Sequence, residues 1–557
     1  MMSRIAFLFY SAVVFLLMVS CGISKSLKHQ PITAGYDQTI PVVDKKAATL
    51  FVSGNNSLLK NKHQLWELYV EGDPLQVGLI SGALTDSLLK KQETIFFSKI
   101  KDLVPSESKQ KFLRFFLKWY NRKLYLNIPE EYKTEIYGYS RYSSKDFDAI
   151  APAYLRSLYL HGAHDIGHAL QDLALVGCSS FAAWDSKSED GNLILGRNFD
   201  FYAGDDFAKD KVIAFIKPTQ GNPFMIYTWA GMTGAVSGMN TKGLTITINA
   251  GKSKIPLIAK TPISVLAREI LQYATNIEEA IAIAKKRKVF VSESIMVGSA
   301  VDNKAILIEV SPNNFGVFDV PNSNQIICSN HFQSEELKND KRNKDQIRDS
   351  HSKYRFDKMT ELFDNNPKIS PTIAAEILRN TKGLNDKEIG YGNEKALNQL
   401  LAHHGIIFKP KELLVWVSAN PYQLGEFVCY DLNQIFNENK DKDIVESFER
   451  ADLSIAKDPF LETEEYKKYE QFRIEDAKMD SALNEKISID SNQIKEYQSL
   501  NPYFWIVYYK AGLYFYNNKD FAQAKTQFEK ALQCEITTLT SKVQVEKYLK
   551  KSIKKLK

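Results

Sequence analysis

Apolar residues change their spacing near the middle of the chain. From about residue 45 to Asp172 they recur at three- and four-residue intervals, as in LLKKQETIFFSKIKDLVPSESKQKFLRFFLKWYNRKLY, which predicts amphipathic helices interrupted at Pro105. From Cys178 onward the period shortens. SSFAAWDSKSEDGNLILGRNFDFY sets two short apolar runs on either side of Asp190 and Gly191, a hairpin signal. KVIAFIKPTQGNPFMIYTWAG pairs two runs across Pro218 and Gly221, and GAVSGMNTKGLTITINAG turns at Asn240 to Gly243, where Asn240 reads as a turn residue. Two helices follow, PISVLAREILQYA and IEEAIAIAKKR, then strands from SIMVGSAVDNKAILIEVS through QIICSNHF. Residues 335–405 read as charged and helical, and IIFKPKELLVWVSANPYQLGEFVCYDL returns to strands. Antiparallel hairpins interrupted by helical pairs predict an α+β fold of sheets covered by helices.

A charged helical stretch over 436–500 leads to YYKAGLYFYNNKDFAQAKTQFEKAL. Tyr508, Ala511, Gly512, Phe515, Ala524, Phe528 and Ala531 stand at the packing positions of a tetratricopeptide helical hairpin, with Ile536 where that repeat ends in proline. A single repeat cannot bury its apolar face, so it must stack on neighbouring helices or on the preceding domain. Its role is packing, or holding a protein partner.

At the N-terminus, Arg4 precedes an apolar run from Ile5 to Val19, shorter than the roughly 20 residues of a spanning helix. The run closes on Ser20-Cys21-Gly22. This predicts a secretory signal, and the small residue before cysteine resembles the bacterial lipoprotein box, with Cys21 as the lipidated first residue of an exported, membrane-anchored protein; an ordinary signal peptide is the alternative. The expected division is a signal over 1–21, a helical propeptide segment over 22–177, a catalytic core over 178–435 and a helical segment over 436–557. With 557 residues, 44% hydrophobic and 25% charged, the chain reads as globular and multidomain. Its net charge of +6 is dispersed rather than striped, which speaks against nucleic acid as a partner. Cys178, Cys328, Cys429 and Cys534 form no CxxC pair, so no thiolate metal framework and no cofactor is expected.

Three groups carry candidate chemistry. Cys178 follows Gly177, and an isolated cysteine of this kind is either a core thiol or a nucleophile. Arg197 and Asp200 lie about twenty residues on and return to the thiol if the hairpin forms; alternatively they make a surface ion pair. Strand alternation separates them onto opposite faces unless the strand ends or bends there. HGAHDIGH sets His161, His164 and His168 at helical spacing and imitates a zinc-protease pattern, but with aspartate in place of the glutamate and a helix-weakening Gly167.

GCSSF at 177–181, GRNFDF at 196–201, GMNTKGLTITIN at 238–249, SNHF at 329–332 and SKYR at 352–355 together resemble the acyl-coenzyme A:6-aminopenicillanic acid acyltransferase family of N-terminal-nucleophile hydrolases, relatives of choloylglycine hydrolases and acid ceramidase. The resemblance implies an αββα four-layer sandwich and a precursor that cuts itself between Gly177 and Cys178. It further implies Cys178 as nucleophile with its own freed amine as base, Asp200 accepting from that amine, and Arg197 stabilising thiolate or positioning substrate. Asn249 and Asn330 would build the oxyanion hole and hold the amine, and Arg355 would close the site behind Asp200. The implied reaction is cleavage of a linear amide or N-acyl bond through a thioester, or acyl transfer from the same thioester. Phe199, Tyr202, Tyr227 and Trp229 would suit an apolar acyl group, or belong to the core. A non-catalytic lipoprotein acting through its repeat is the competing class. The segment 22–177 is long for a propeptide, and DSKSED leaves room for an inserted loop.

Overall fold

Two sheets face each other in the computed structural model, which describes residues 22–169, 177–201, 204–252, 258–438, 446–485 and 487–557, with the side chains of 103, 163–169 and 438 excepted. The larger sheet has eleven strands in the order β1-β2-β3-β4-β7-β8-β9-β10-β11-β12-β13. Its members are β1 (Asp44–Ala47), β2 (Leu50–Ser53), β3 (Asn56–Lys60), β4 (Trp66–Gly72), β7 (Val212–Pro218), β8 (Phe224–Thr228), β9 (Ser237–Asn240), β10 (Leu244–Ala250), β11 (Glu293–Ser299), β12 (Lys304–Val310) and β13 (Phe315–Phe318). The smaller sheet runs β14-β5-β6-β15-β16-β17, built from β5 (Ser179–Ala183), β6 (Ile194–Phe199), β14 (Gln325–Cys328), β15 (His404–Lys409), β16 (Leu414–Ser418) and β17 (Phe427–Asp431).

Side-chain alternation assembles the layers. On β7, Ile213 and Phe215 point between the sheets, where they meet Leu195, Met225, Met296, Ile406 and Val417. Val212, Ala214 and Ile216 point outward, against the helices α1 (Pro74–Leu84), α4 (Glu130–Ser140), α5 (Ala153–Ala169) and α6 (Ile263–Tyr273), which supply Val77, Ile136, Leu155 and Ile270. On the smaller sheet Ile406 and Phe408 face inward. Phe181, Ile407 and Trp416 face outward onto α9 (Ser352–Asn365) and α10 (Pro371–Arg379), through Met359, Phe363, Ala374 and Leu378. The result is helix, sheet, sheet, helix. Because a one-residue slip would exchange the two faces of every strand, burial on both sides fixes the register.

Residues 44–72 depart from the helical reading of this region. They form four strands, and β4 runs parallel to β7, with Trp66 beside Val212 through Gly72 beside Pro218. The segment before Cys178 is therefore part of the main sheet. The strand signal in β4 is masked by Glu67, a charged residue at an inward position, fully buried. It is tolerated because Asn61, Tyr430, Ser447 and the Phe448 backbone donate hydrogen bonds to it. Farther on, α2 (Asp86–Leu103) and α3 (Glu107–Tyr120) stop and start around Pro105 as expected. Helix α1 packs unusually close to α4: a Cβ on Gly78 would stand 2.0 Å from the Glu135 carbonyl oxygen, so only glycine fits.

The C-terminal residues form α11 (Glu464–Glu485), α12 (Ser491–Leu500), α13 (Trp505–Asn517), α14 (Phe521–Gln533) and α15 (Leu539–Leu556). Helices α13 and α14 make the hairpin that the spacing predicts, with Ala511, Gly512, Ala524, Phe528 and Ala531 buried. Their apolar cluster takes in Leu400 and Leu424 from the preceding domain. Among the described residues no helix is long and apolar enough to cross a membrane. Cys21 lies outside the described residues.

Candidate active site

Strand β5 begins one residue after Cys178 and pairs with β6, Ser179 opposite Asn198 and Ser180 opposite Arg197. This hairpin carries Arg197 back to the thiol. Its Nη2 donates to Cys178 Sγ at 3.6 Å and to the Ile248 carbonyl at 2.5 Å, and its Nη1 donates to the Val236 carbonyl at 3.0 Å and to the Ser237 hydroxyl. The guanidinium lies 4.2 Å from the centre of the Phe199 ring. Burial pushes the Cys178 thiol up, and Arg197 is the largest influence opposing that rise.

The alternation problem resolves at the end of β6. Asn198 obeys the pleat and turns outward, donating to the Leu378 and Leu397 carbonyls at 2.8 and 2.9 Å. Asp200 lies past Phe199, the last strand residue, and so escapes the pleat. Its backbone carbonyl accepts from Gly177 N at 3.1 Å. Its carboxyl is fully buried, and neither oxygen has a hydrogen-bond partner among the described residues. Burial pushes it up to about 7, against the pull of Arg355 and Arg197. The Gln423 amide faces it but closes no hydrogen bond of normal geometry.

Asn330, just past β14, accepts from Cys178 N at 3.0 Å and from Arg355 Nη2 at 2.5 Å, while its own amide donates to the Ala250 carbonyl at 2.9 Å. Arg355, on α9, also donates to the Cys178 carbonyl at 2.5 Å and the Ser179 hydroxyl at 2.7 Å. Asn249 accepts from Ser180 Oγ at 2.7 Å and makes only long contacts of 3.4 Å through its amide nitrogen, to the Cys328 and Ser329 carbonyls. The structure thus gathers Cys178, Arg197, Asp200, Asn249, Asn330 and Arg355 into one buried cluster.

The aromatic candidates separate. Phe199 stacks on Phe201 and Trp229, with ring centroids 5.8 and 6.4 Å apart. Trp229 lines a cavity of about 40 Å³ with Leu89, Phe96, Leu160, Phe207 and Met232, far below the roughly 300–1,000 Å³ of a ligand pocket. Tyr227 lies between the sheets with its hydroxyl on the Ser418 carbonyl at 2.6 Å, a core position. Tyr202 lies outside the described residues. A larger groove of about 870 Å³ runs past Ser370, Arg379, Trp416 and Ile455 and shares no residue with the cluster.

His161 is occupied: it bonds the Ser157 carbonyl at 2.8 Å and Thr233 Oγ1 at 2.9 Å, and burial pushes it down to about 4. The His164 and His168 side chains lie outside the described residues. Sequence reasoning missed further groups, in loops and at the starts of β9 and β15. Gln399 donates to the Gly177 carbonyl at 3.4 Å, and His351 accepts from Arg355 Nε at 3.2 Å. Ser237 links Arg197 to His404, which in turn bonds His403 at 2.8 Å. The adjacent pair His403-His404 was a visible signal; Gln399 and His351 had none.

A thiol, two guanidinium groups, a carboxyl and two amides are thus gathered where β5 and β6 of the smaller sheet meet β10 of the larger. Residues 186–419 match the model of the acyl-coenzyme A:6-aminopenicillanic acid acyl-transferase family. The span begins after Cys178 and holds the other five polar residues of the cluster. An uncharacterized protein of Archaeoglobus fulgidus is 24% identical over 274 residues, 45% of this chain and 44% of that protein, so the chain spans under half the length of this curated relative. Among solved structures, a Caenorhabditis elegans N-acylethanolamine-hydrolyzing acid amidase ortholog overlaps 42% of this chain and 93% of its own, at 17% identity and a TM-score of 0.32. A conjugated bile acid hydrolase mutant from Clostridium perfringens overlaps 46% and 93% at 16% identity and 0.31. Penicillin V acylase from Agrobacterium tumefaciens overlaps 46% and 87% at 12% and 0.31.

Proposed function

We propose that the protein is a self-processing N-terminal-cysteine amidohydrolase that cleaves linear amide or N-acyl bonds. The observation that carries this reading is the Asp200 carboxyl, buried without a hydrogen-bond partner among the described residues and beside the backbone that leads into Cys178. A buried ionised carboxylate is costly, and here burial outweighs the pull of Arg355 and Arg197, so in the continuous chain Asp200 keeps its proton up to about pH 7. Cutting between Gly177 and Cys178 would create an ammonium where Cys178 N now donates to Asn330, and Asp200, whose backbone carbonyl accepts from Gly177 N, would offer that cation a carboxylate.

The chemistry follows from the groups present. The freed amine, with an ordinary pKa of about 8, takes the thiol proton at neutral pH, and Arg197 stabilises the resulting thiolate. The thiolate attacks the substrate carbonyl, the amine returns the proton to the leaving nitrogen, and water resolves the thioester. Asn249, whose amide nitrogen is held only by long contacts, is the donor available to the tetrahedral oxyanion. An amine resolving the same thioester would give acyl transfer, which the description of the matching family favours as the second reading. We further propose export, membrane anchoring through lipidated Cys21, and a protein partner for the helices of 436–557.

Intact mass of the exported protein tests the reading. Two fragments with the second beginning at Cys178 are expected, and Cys178→Ala should stay in one piece without turnover on N-acyl substrates. Full turnover from a chain still continuous through Gly177-Cys178 would refute it.

A further inference from the structure

Gly177 is closed in by a side chain that the reaction on substrate does not require. A Cβ at this position would stand 2.6 Å from Gln399 Nε2 and 3.2 Å from the His351 ring. Gln399 Nε2 donates to the Gly177 carbonyl at 3.4 Å, long for a hydrogen bond, and Gln399 itself is only 2% exposed. That carbonyl is the group at which self-cleavage would occur. The residue after Gln399 holds an unusual backbone: Leu400 has φ +52°, the left-handed region that a bulky side chain avoids at a cost of about 1–3 kcal/mol. The surroundings hold it there. Asn398 Oδ1 accepts from Leu400 N at 3.0 Å, Tyr469 of α11 donates to the Leu400 carbonyl at 3.3 Å, and the Leu400 side chain packs into the C-terminal cluster. Upstream, Lys395 pairs with Glu535 at 2.7 Å and Asn393 donates to the Glu535 carbonyl at 2.9 Å. The C-terminal segment, through α11 and the loop between α14 and α15, therefore grips the loop on both sides of Gln399.

We propose that Gln399 is the oxyanion donor for self-cleavage at Gly177-Cys178, held in place by the C-terminal helices; this rests on the self-processing reading above. In the step, the Cys178 sulfur bonds to the Gly177 carbonyl carbon through a five-membered ring, and negative charge develops on the Gly177 oxygen. The carbon–nitrogen bond then breaks, the thiol proton ends on the freed amine, and a thioester links the two pieces. Water hydrolyses it, leaving a Gly177 carboxyl and a free Cys178. A donor that touches the ground-state carbonyl loosely and meets the oxyanion closely stabilises the transition state selectively. Gln399 supplies that donor without a charge.

The test follows the uncut fraction by intact mass over time, in the full chain, for wild type, Gln399→Ala and Gln399→Glu, with melting temperatures to show that each folds. Both variants should cut about 10²–10³-fold more slowly than wild type at about pH 8. Gln399→Glu, nearly isosteric, should recover relative to wild type at about pH 5, where its protonated carboxyl again donates; a purely structural role would not move with pH in this way. If wild type cuts and both variants cut within about threefold of it, or if Gln399→Glu folds but shows no recovery in acid, the assignment of Gln399 is overturned while self-processing stands. If wild type itself remains whole, self-processing falls, and this inference with it.

Discussion

The orphaned carboxyl of Asp200 gives the uncut chain a measurable pH signature. In Cys178→Ala, which on the proposed mechanism cannot cut itself, the folded protein keeps Asp200 protonated up to about 7, whereas the usual value is 3.8. Between those values the folded state binds a proton that the unfolded state has lost. Stability therefore falls as pH rises through that window, and no penalty exists below it. A rise of about three pKa steps at 1.36 kcal/mol each gives a cost of roughly 4 kcal/mol by about pH 8. Asp200→Asn has a similar shape and does not titrate. Urea unfolding of Cys178→Ala and of Cys178→Ala/Asp200→Asn, compared from about pH 4 to about pH 8, should show the asparagine form gaining roughly 4 kcal/mol on its parent across the range. Lys211, which burial pushes down to about 7, titrates in both proteins and cancels in the difference. A gap that stays constant to about 0.5 kcal/mol would mean that Asp200 is already ionised in the uncut chain, and the argument for a missing ammonium would fail.

Two further outcomes are expected. The fragments made by cutting at Gly177-Cys178 should co-elute on native size exclusion and separate only in denaturant, because β4 pairs along its whole length with β7 and the helices before Cys178 share the apolar layer over the larger sheet; separation in native buffer would contradict this. Gly177→Ala should slow the appearance of the new N-terminus by about tenfold or more, since the added methyl meets Gln399 and His351 and raises the barrier by at least about 1.4 kcal/mol; cleavage at the wild-type rate would show that the loop yields without cost.

Much of this protein was legible along the chain because its information is local. Alternation and turn residues set the hairpins β5–β6, β7–β8 and β9–β10, and helical period with Pro105 set the bounds of α2 and α3. The motifs around Cys178, Arg197, Asp200, Asn249, Asn330 and Arg355 named groups that the fold does bring together. Other features depend on distant partners and leave no local trace. Glu67 hides a central strand from any pattern of apolar residues, because its charge is satisfied by groups from three other parts of the chain. Asp200 reaches the site only because β6 ends at Phe199, and the pairing of His404 with Phe199 marks that end. Gln399 meets the Gly177 carbonyl across 222 residues of sequence, on a strained loop held by helices from the far end of the chain. Periodicity determines which face of an element is buried; only the packed structure decides which polar group lies opposite which, since hydrogen bonds and buried charges are settled by neighbours in space.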